Sequence, residues 1–146
     1  MTRTPSQTVG PFFAIGLCRR PDDELDPGGV ELRGRLLDGR GDPVPDGVVE
    51  VWDPEGRRWG RCGTGPDGGF SFRVPRQATR LEAHVFARGL LRHQRTRIYL
   101  RDDAADEVLN GLTPAERATL VARRDGDRLL FDIRLQGERA TVFFEH

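Results

Sequence analysis

The chain contains no lysine: all 23 of its positive charges are arginines, and 23 aspartates and glutamates balance them. A net charge of zero excludes the broad basic field on which nucleic-acid binding rests. No apolar run approaches the roughly 18 residues that cross a bilayer. The opening stretch, with Arg3 alone and no apolar segment, does not read as a secretory signal. A cytoplasmic protein with neither nucleic-acid nor membrane partners is therefore expected. Cysteine is scarce, and Cys18 and Cys62 have neither metal-type spacing nor a histidine close in sequence, so free thiols are expected. The only serines, Ser6 and Ser71, lack a nucleophile-elbow context. His84, His93 and His146 are scattered, and His84, on a strand face beside Glu82, reads as a hydrogen-bonded surface or interface residue. There is one tyrosine, Tyr99. The missing lysine has two readings: genomic base composition, or a polar contact surface that sets the guanidinium fork against carboxylates.

Turn-forming residues are what the chain has in quantity, with 18 glycines and 10 prolines in 146 residues. That length supports one domain with its own core, and the composition favours an all-β protein with tight connections. Apolar residues alternate with polar ones at Val30, Leu32 and Leu36, at Phe70, Phe72 and Val74, at Leu81, Ala83, Val85 and Ala87, and at Thr96, Ile98 and Leu100. Residues 48–52 are apolar on both faces and suit a central strand. Between them, Asp53-Pro54-Glu55-Gly56 and Gly65-Pro66-Asp67-Gly68-Gly69 read as turns around a short polar stretch. Thr113-Pro114-Ala115-Glu116 carries the marks of a helix start within the one helical region, residues 102–118. Asp125-Gly126 then signals a hairpin before Leu129, Phe131, Ile133 and Leu135. The expected architecture is an all-β sandwich, residues 30–146, with one short helical insertion, preceded by an arm and connector, residues 1–29.

The arm, Thr4-Pro5-Ser6-Gln7-Thr8-Val9-Gly10-Pro11-Phe12-Phe13, has no helical or strand period, yet it ends in two phenylalanines that sit badly in water. It resembles the opening arm of the intradiol aromatic-ring dioxygenases, and within them the alpha subunits of protocatechuate 3,4-dioxygenase. The resemblance continues through Leu32-Arg33-Gly34-Arg35-Leu36-Leu37, Val49-Glu50-Val51-Trp52, Gly69-Phe70-Ser71-Phe72 and Phe131-Asp132-Ile133-Arg134-Leu135-Gln136-Gly137. Its most specific stretch is Val85-Phe86-Ala87-Arg88-Gly89 with Thr96-Arg97-Ile98-Tyr99-Leu100. It implies a β-sandwich of the intradiol, transthyretin-like type. This chain departs from the family in being short, because the long loops after Trp52 and after Val74 are mostly missing.

The family's chemistry uses Fe(III) held by two tyrosinates and two histidines, the phenolates being hard anionic donors that suit the ferric ion. One tyrosine cannot supply two. Counting back from Phe86, the resemblance sets Arg80 and Glu82 at the two histidine positions and Trp59 near the first tyrosine. No metal is therefore expected in this chain, and the resemblance implies that Fe(III) belongs to a homologous catalytic beta subunit. The same resemblance makes Gly10, Pro11, Phe12 and Arg88 the substrate-binding residues. Gly10 permits close backbone approach, Pro11 offers a rigid apolar face, and Arg88 suits the carboxylate of a dihydroxybenzoate. The implied function is that of an iron-free alpha subunit in a complex that cleaves protocatechuate with O2. Two other readings stay open: a non-enzymatic transthyretin-like binding module, and a degenerate paralogue.

Overall fold

The computed structural model describes Pro5, Gly10 and residues 13–18, 22–102 and 106–144. Two sheets pack face to face, as the alternating strands require. The first has the order β4-β1-β8-β7, from β1 (Val30–Leu37), β4 (Gly69–Val74), β7 (Arg123–Asp125) and β8 (Arg128–Leu130), with β9 (Ile133–Arg134) also pairing β1. The second has the order β3-β2-β5-β6, from β2 (Val48–Asp53), β3 (Arg58–Gly63), β5 (Arg80–Phe86) and β6 (Gln94–Tyr99). β1 runs antiparallel to β4 and parallel to β8 and β9. All pairs within the second sheet are antiparallel.

The expected inward residues form the core. Leu32, Leu36, Phe72 and Ile133 from one sheet meet Val49, Val51, Leu81, Val85 and Ile98 from the other, all essentially inaccessible to water. At roughly 1.5–3 kcal/mol per buried aliphatic or aromatic side chain, this layer dominates the favourable side of folding. Gly34 marks its tightest point, where a Cβ would fall onto the Phe131 carbonyl and the edge of the Phe70 ring. Residues 48–52 do form a central strand, as their two apolar faces predict.

Three local features differ from expectation. The polar stretch between the two turns is itself a strand, β3, paired with β2 from Val48↔Gly63 to Asp53↔Arg58. Its polar residues are tolerated because it lies at the sheet edge. The strand predicted through Leu135 breaks at Phe131–Asp132, although Phe131 and Leu135 still donate backbone bonds to Arg33 and Leu37. The helical region is two short helices, α2 (Glu107–Asn110) and α3 (Pro114–Ala118), while a third, α1 (Phe13–Leu17), lies in the arm.

α3 begins with the predicted Thr113/Glu116 capping box. Leu109 and Leu120, with Tyr99, form a second small core on the outside of β6. Residues 22–29 touch both sheets: Asp22 bridges to Arg61, Glu24 to Arg73, and Leu25 is buried. No helix among the described residues is long and apolar enough to cross a membrane.

Candidate functional site

β5 alternates inward Leu81, Ala83 and Val85 with outward Arg80, Glu82, His84 and Phe86, so Arg80 and Glu82 face away from the core. Register places Arg80 opposite Tyr99 and Glu82 opposite Arg97 on β6. Asp106, the N-cap of α2, reaches into this group from the helical insertion. Arg80 donates to Asp106 at 2.7 Å, Arg97 lies 3.2 Å from Glu82 and 3.6 Å from Asp106, and the Tyr99 hydroxyl also bonds Asp106. The side chain of Asp106 is only 11% exposed, which makes it the hub of a half-buried ion-pair cluster.

The electrostatics oppose a metal here. Burial foremost pushes the Tyr99 phenol above its ordinary value, and the bond to Asp106 raises it further, so the phenolate that ferric iron needs is disfavoured. Arg80 and Arg97 cannot serve as ligands, and their charges occupy the space beside both carboxylates. Burial pushes Asp106 up, but the bonds from Val108 N, Arg80 and Tyr99 and the Arg97 charge together hold it below the usual carboxylate value. These residues do not fit Fe(III). Among the described residues, no group of three or more His, Cys, Asp and Glu side chains is placed to hold a metal ion.

The predicted substrate residues fall elsewhere. Arg88 lies in the turn after β5, more than half exposed, with one loose ion pair to Asp46 at 3.8 Å. Gly89 beside it has φ +86°, a left-handed conformation that favours glycine and sets the direction of that turn. Gly10 also has a left-handed backbone, φ +76°, with open space where a Cβ would stand. Pro11 and Phe12 lie outside the described residues. Phe13, the next residue, is buried, so at least one phenylalanine of the arm packs against its own fold.

Sequence reasoning missed two features of the surface. One is the Asp106 hub; the Glu82/Arg97 pairing was legible only to someone who knew the strand register. The other is an open cavity of about 1320 Å³ on the opposite side, lined by Arg33, Arg35, Phe131 and Arg134 among others, which includes neither Gly10 nor Arg88. Trp52 and Trp59, directly opposite one another on β2 and β3, are both substantially exposed.

No family model matches the chain. It is 35% identical to the protocatechuate 3,4-dioxygenase alpha chain of Burkholderia cepacia, across 99% of this chain and 98% of that one. The alpha chain of the same name from Pseudomonas putida is 33% identical, across 99% and 97% respectively. The first alignment spans 194 positions against the 146 residues here, so dozens of positions in that relative have no counterpart. Among solved structures, the dioxygenase domain of a dioxygenase and carbohydrate-binding protein fusion from Streptomyces sp. SirexAA-E matches with a TM-score of 0.58 and 22% identity. That match covers 93% of this chain and 99% of that domain, and it carries the fold alone.

Proposed function

The chain belongs to the family of protocatechuate 3,4-dioxygenase alpha chains, within the intradiol dioxygenases, and from that premise we propose that it is the iron-free subunit of such an enzyme. Its partner is a homologous beta subunit that holds Fe(III) through two tyrosinates and two histidines. The complex cleaves protocatechuate between its hydroxyls with O2, giving 3-carboxy-cis,cis-muconate, in the cytoplasm. The observation that carries this reading is the alignment itself, which runs through both chains almost end to end, arm included.

In this reading the chain shapes the substrate pocket rather than performing the chemistry. The arm, within residues 1–29, extends from the sandwich of residues 30–146 and brings Gly10, Pro11 and Phe12 to the aromatic ring. The left-handed turn at Gly10 fits that role, since it lets the backbone approach without a side chain in the way. Arg88, held among the described residues only by Asp46 at 3.8 Å, keeps most of its hydrogen-bonding capacity for a substrate carboxylate. Closing the pocket between two subunits excludes water from the reaction.

The test is expression with and without an intradiol beta subunit. Alone, the chain should be colourless and inactive. Together, the two should co-purify as a red-brown, iron-containing complex that turns over protocatechuate. Failure to co-purify with any intradiol beta subunit overturns the proposal.

A further inference from the structure

Among the described residues, five large apolar side chains stand substantially in solvent: Ile15, Leu17, Trp52, Trp59 and Leu91. Two of them, Trp52 and Trp59, are neighbours, and the Leu17 backbone comes to the same face. Trp52 and Trp59 are cross-strand partners on the outer face of the second sheet, 38% and 42% exposed. Arg61, two residues along β3 and so on the same face, lays its guanidinium 4.7 Å over the Trp59 ring. The same guanidinium donates to the Leu17 carbonyl at 3.4 Å, which ties the end of α1 to the arginine that covers Trp59. Aromatic rings beside an arginine, with few free charges, are the composition of an interface core.

We propose that this patch is the surface on which the partner subunit of the dioxygenase complex docks, an inference that rests on the subunit reading above. The charges around it select the occupant. Arg61 is closed by Glu50, and Glu82, opposite Trp52, is closed by Arg97, so the middle of the face is electrically neutral. A neutral middle does not attract nucleic acid or an anionic membrane. At the rim, Arg57 stands exposed in the turn that joins the two tryptophan strands, with no ion pair among the described residues. The two indole N–H groups likewise have no acceptor among them. The complementary surface is thus an apolar protein segment with carbonyl acceptors over the indoles and a carboxylate opposite Arg57.

The chain has only two tryptophans and both are here, so they report on this surface alone. The experiment labels this chain with 5-fluorotryptophan and mixes it with the unlabelled, iron-loaded beta subunit. Both fluorine resonances should shift and lose their H2O/D2O solvent effect as the complex forms. Trp52→Ala and Trp59→Ala should each weaken association by about tenfold or more, while circular dichroism and Tm stay near wild type. Arg57→Glu should weaken it too, and the loss should shrink at high salt. Arg124→Ala, on the exposed edge strand of the other sheet, should bind as wild type. If wild type forms the complex but the resonances do not move, or the tryptophan variants bind undiminished, the docking surface is refuted while the subunit reading stands. If the labelled chain alone shows the same shifts with increasing concentration, a second copy occupies the face and the proposed occupant is wrong.

Discussion

Replacing Asp106 by asparagine tests whether the ion-pair cluster holds the helical insertion to the sheet. Asparagine is nearly isosteric and is itself a good N-cap, so the Val108 bond at the start of α2 survives and the change isolates the charge. What is lost is the attraction to Arg80 at 2.7 Å and Arg97 at 3.6 Å, with Glu82 left as the cluster's single carboxylate. A fully buried pair broken from one side costs about 3–5 kcal/mol. Arg80 and Arg97 keep a quarter to a third of their side chains in water, and solvent screening reduces that to roughly 1–3 kcal/mol. For a domain of this size each kcal/mol moves Tm by about 3–5 °C, so a fall of roughly 3–15 °C is expected at pH 7. The sign of the pH dependence follows from the direction of the Asp106 shift. Its folded pKa lies below the ordinary 3.8, so its contribution is complete above that value and disappears as pH falls through the folded pKa. Thermal melts of wild type and Asp106→Asn should therefore run apart near neutrality and begin to converge only as pH falls below about 4. Equal Tm values at pH 7, or a gap that widens as pH falls below about 4, would show that the cluster does not stabilise the fold as a charged unit.

Two further outcomes follow from single residues. Arg88→Ala should leave Tm within about 0.5 kcal/mol equivalent, because its only ion pair among the described residues is loose and exposed. In the assembled enzyme it should raise KM for carboxylated catechols roughly tenfold with little change for catechol itself; equal effects on both substrates would remove it from the pocket. Gly34→Ala should cost roughly 2–4 kcal/mol by urea denaturation, since the new methyl meets the Phe131 carbonyl and the Phe70 ring in the tightest part of the core. A near-neutral result there would mean that β1 and the 131–132 break can shift apart freely.

The sandwich was legible because most of its strands bury one face, so apolar residues repeat every second position and burial follows the same pattern. Leu81, Ala83 and Val85 are the clearest case, each fully inaccessible beside half-exposed neighbours. β3 escaped because an edge strand with Arg58, Trp59, Gly60 and Arg61 carries no such period; its position comes from pairing with β2, a tertiary fact. α1 escaped for a related reason, since five residues are too few to show a helical repeat. The unsuitability for iron was legible from the tyrosine count alone. The Asp106 hub was not, because it joins a helix cap to two strands across distances that sequence spacing does not encode.

The outward face of β5 explains how a dioxygenase sandwich can do without its metal. Outward residues on a strand do not define the core, so changing them leaves Leu81, Ala83, Val85 and the facing sheet intact. A metal at such a site does mechanical work as well as chemistry, because its ligands tie separate elements together. In this chain Arg80, Glu82 and Arg97 tie β5 and β6 to the cap of α2 through Asp106, so cross-linking is retained by ion pairs. The short connections fit the same logic. The β2–β3 turn is four residues, Pro54 to Arg57, closed by the buried Asp53 carboxylate accepting from Glu55 and Gly56. A loop that need not carry a ligand gains stability by being short, since less chain entropy is lost in closing it. The charge cluster and the short β2–β3 turn are thus one physical solution: a scaffold with no coordinating set on this face is held by ion pairs and short connections.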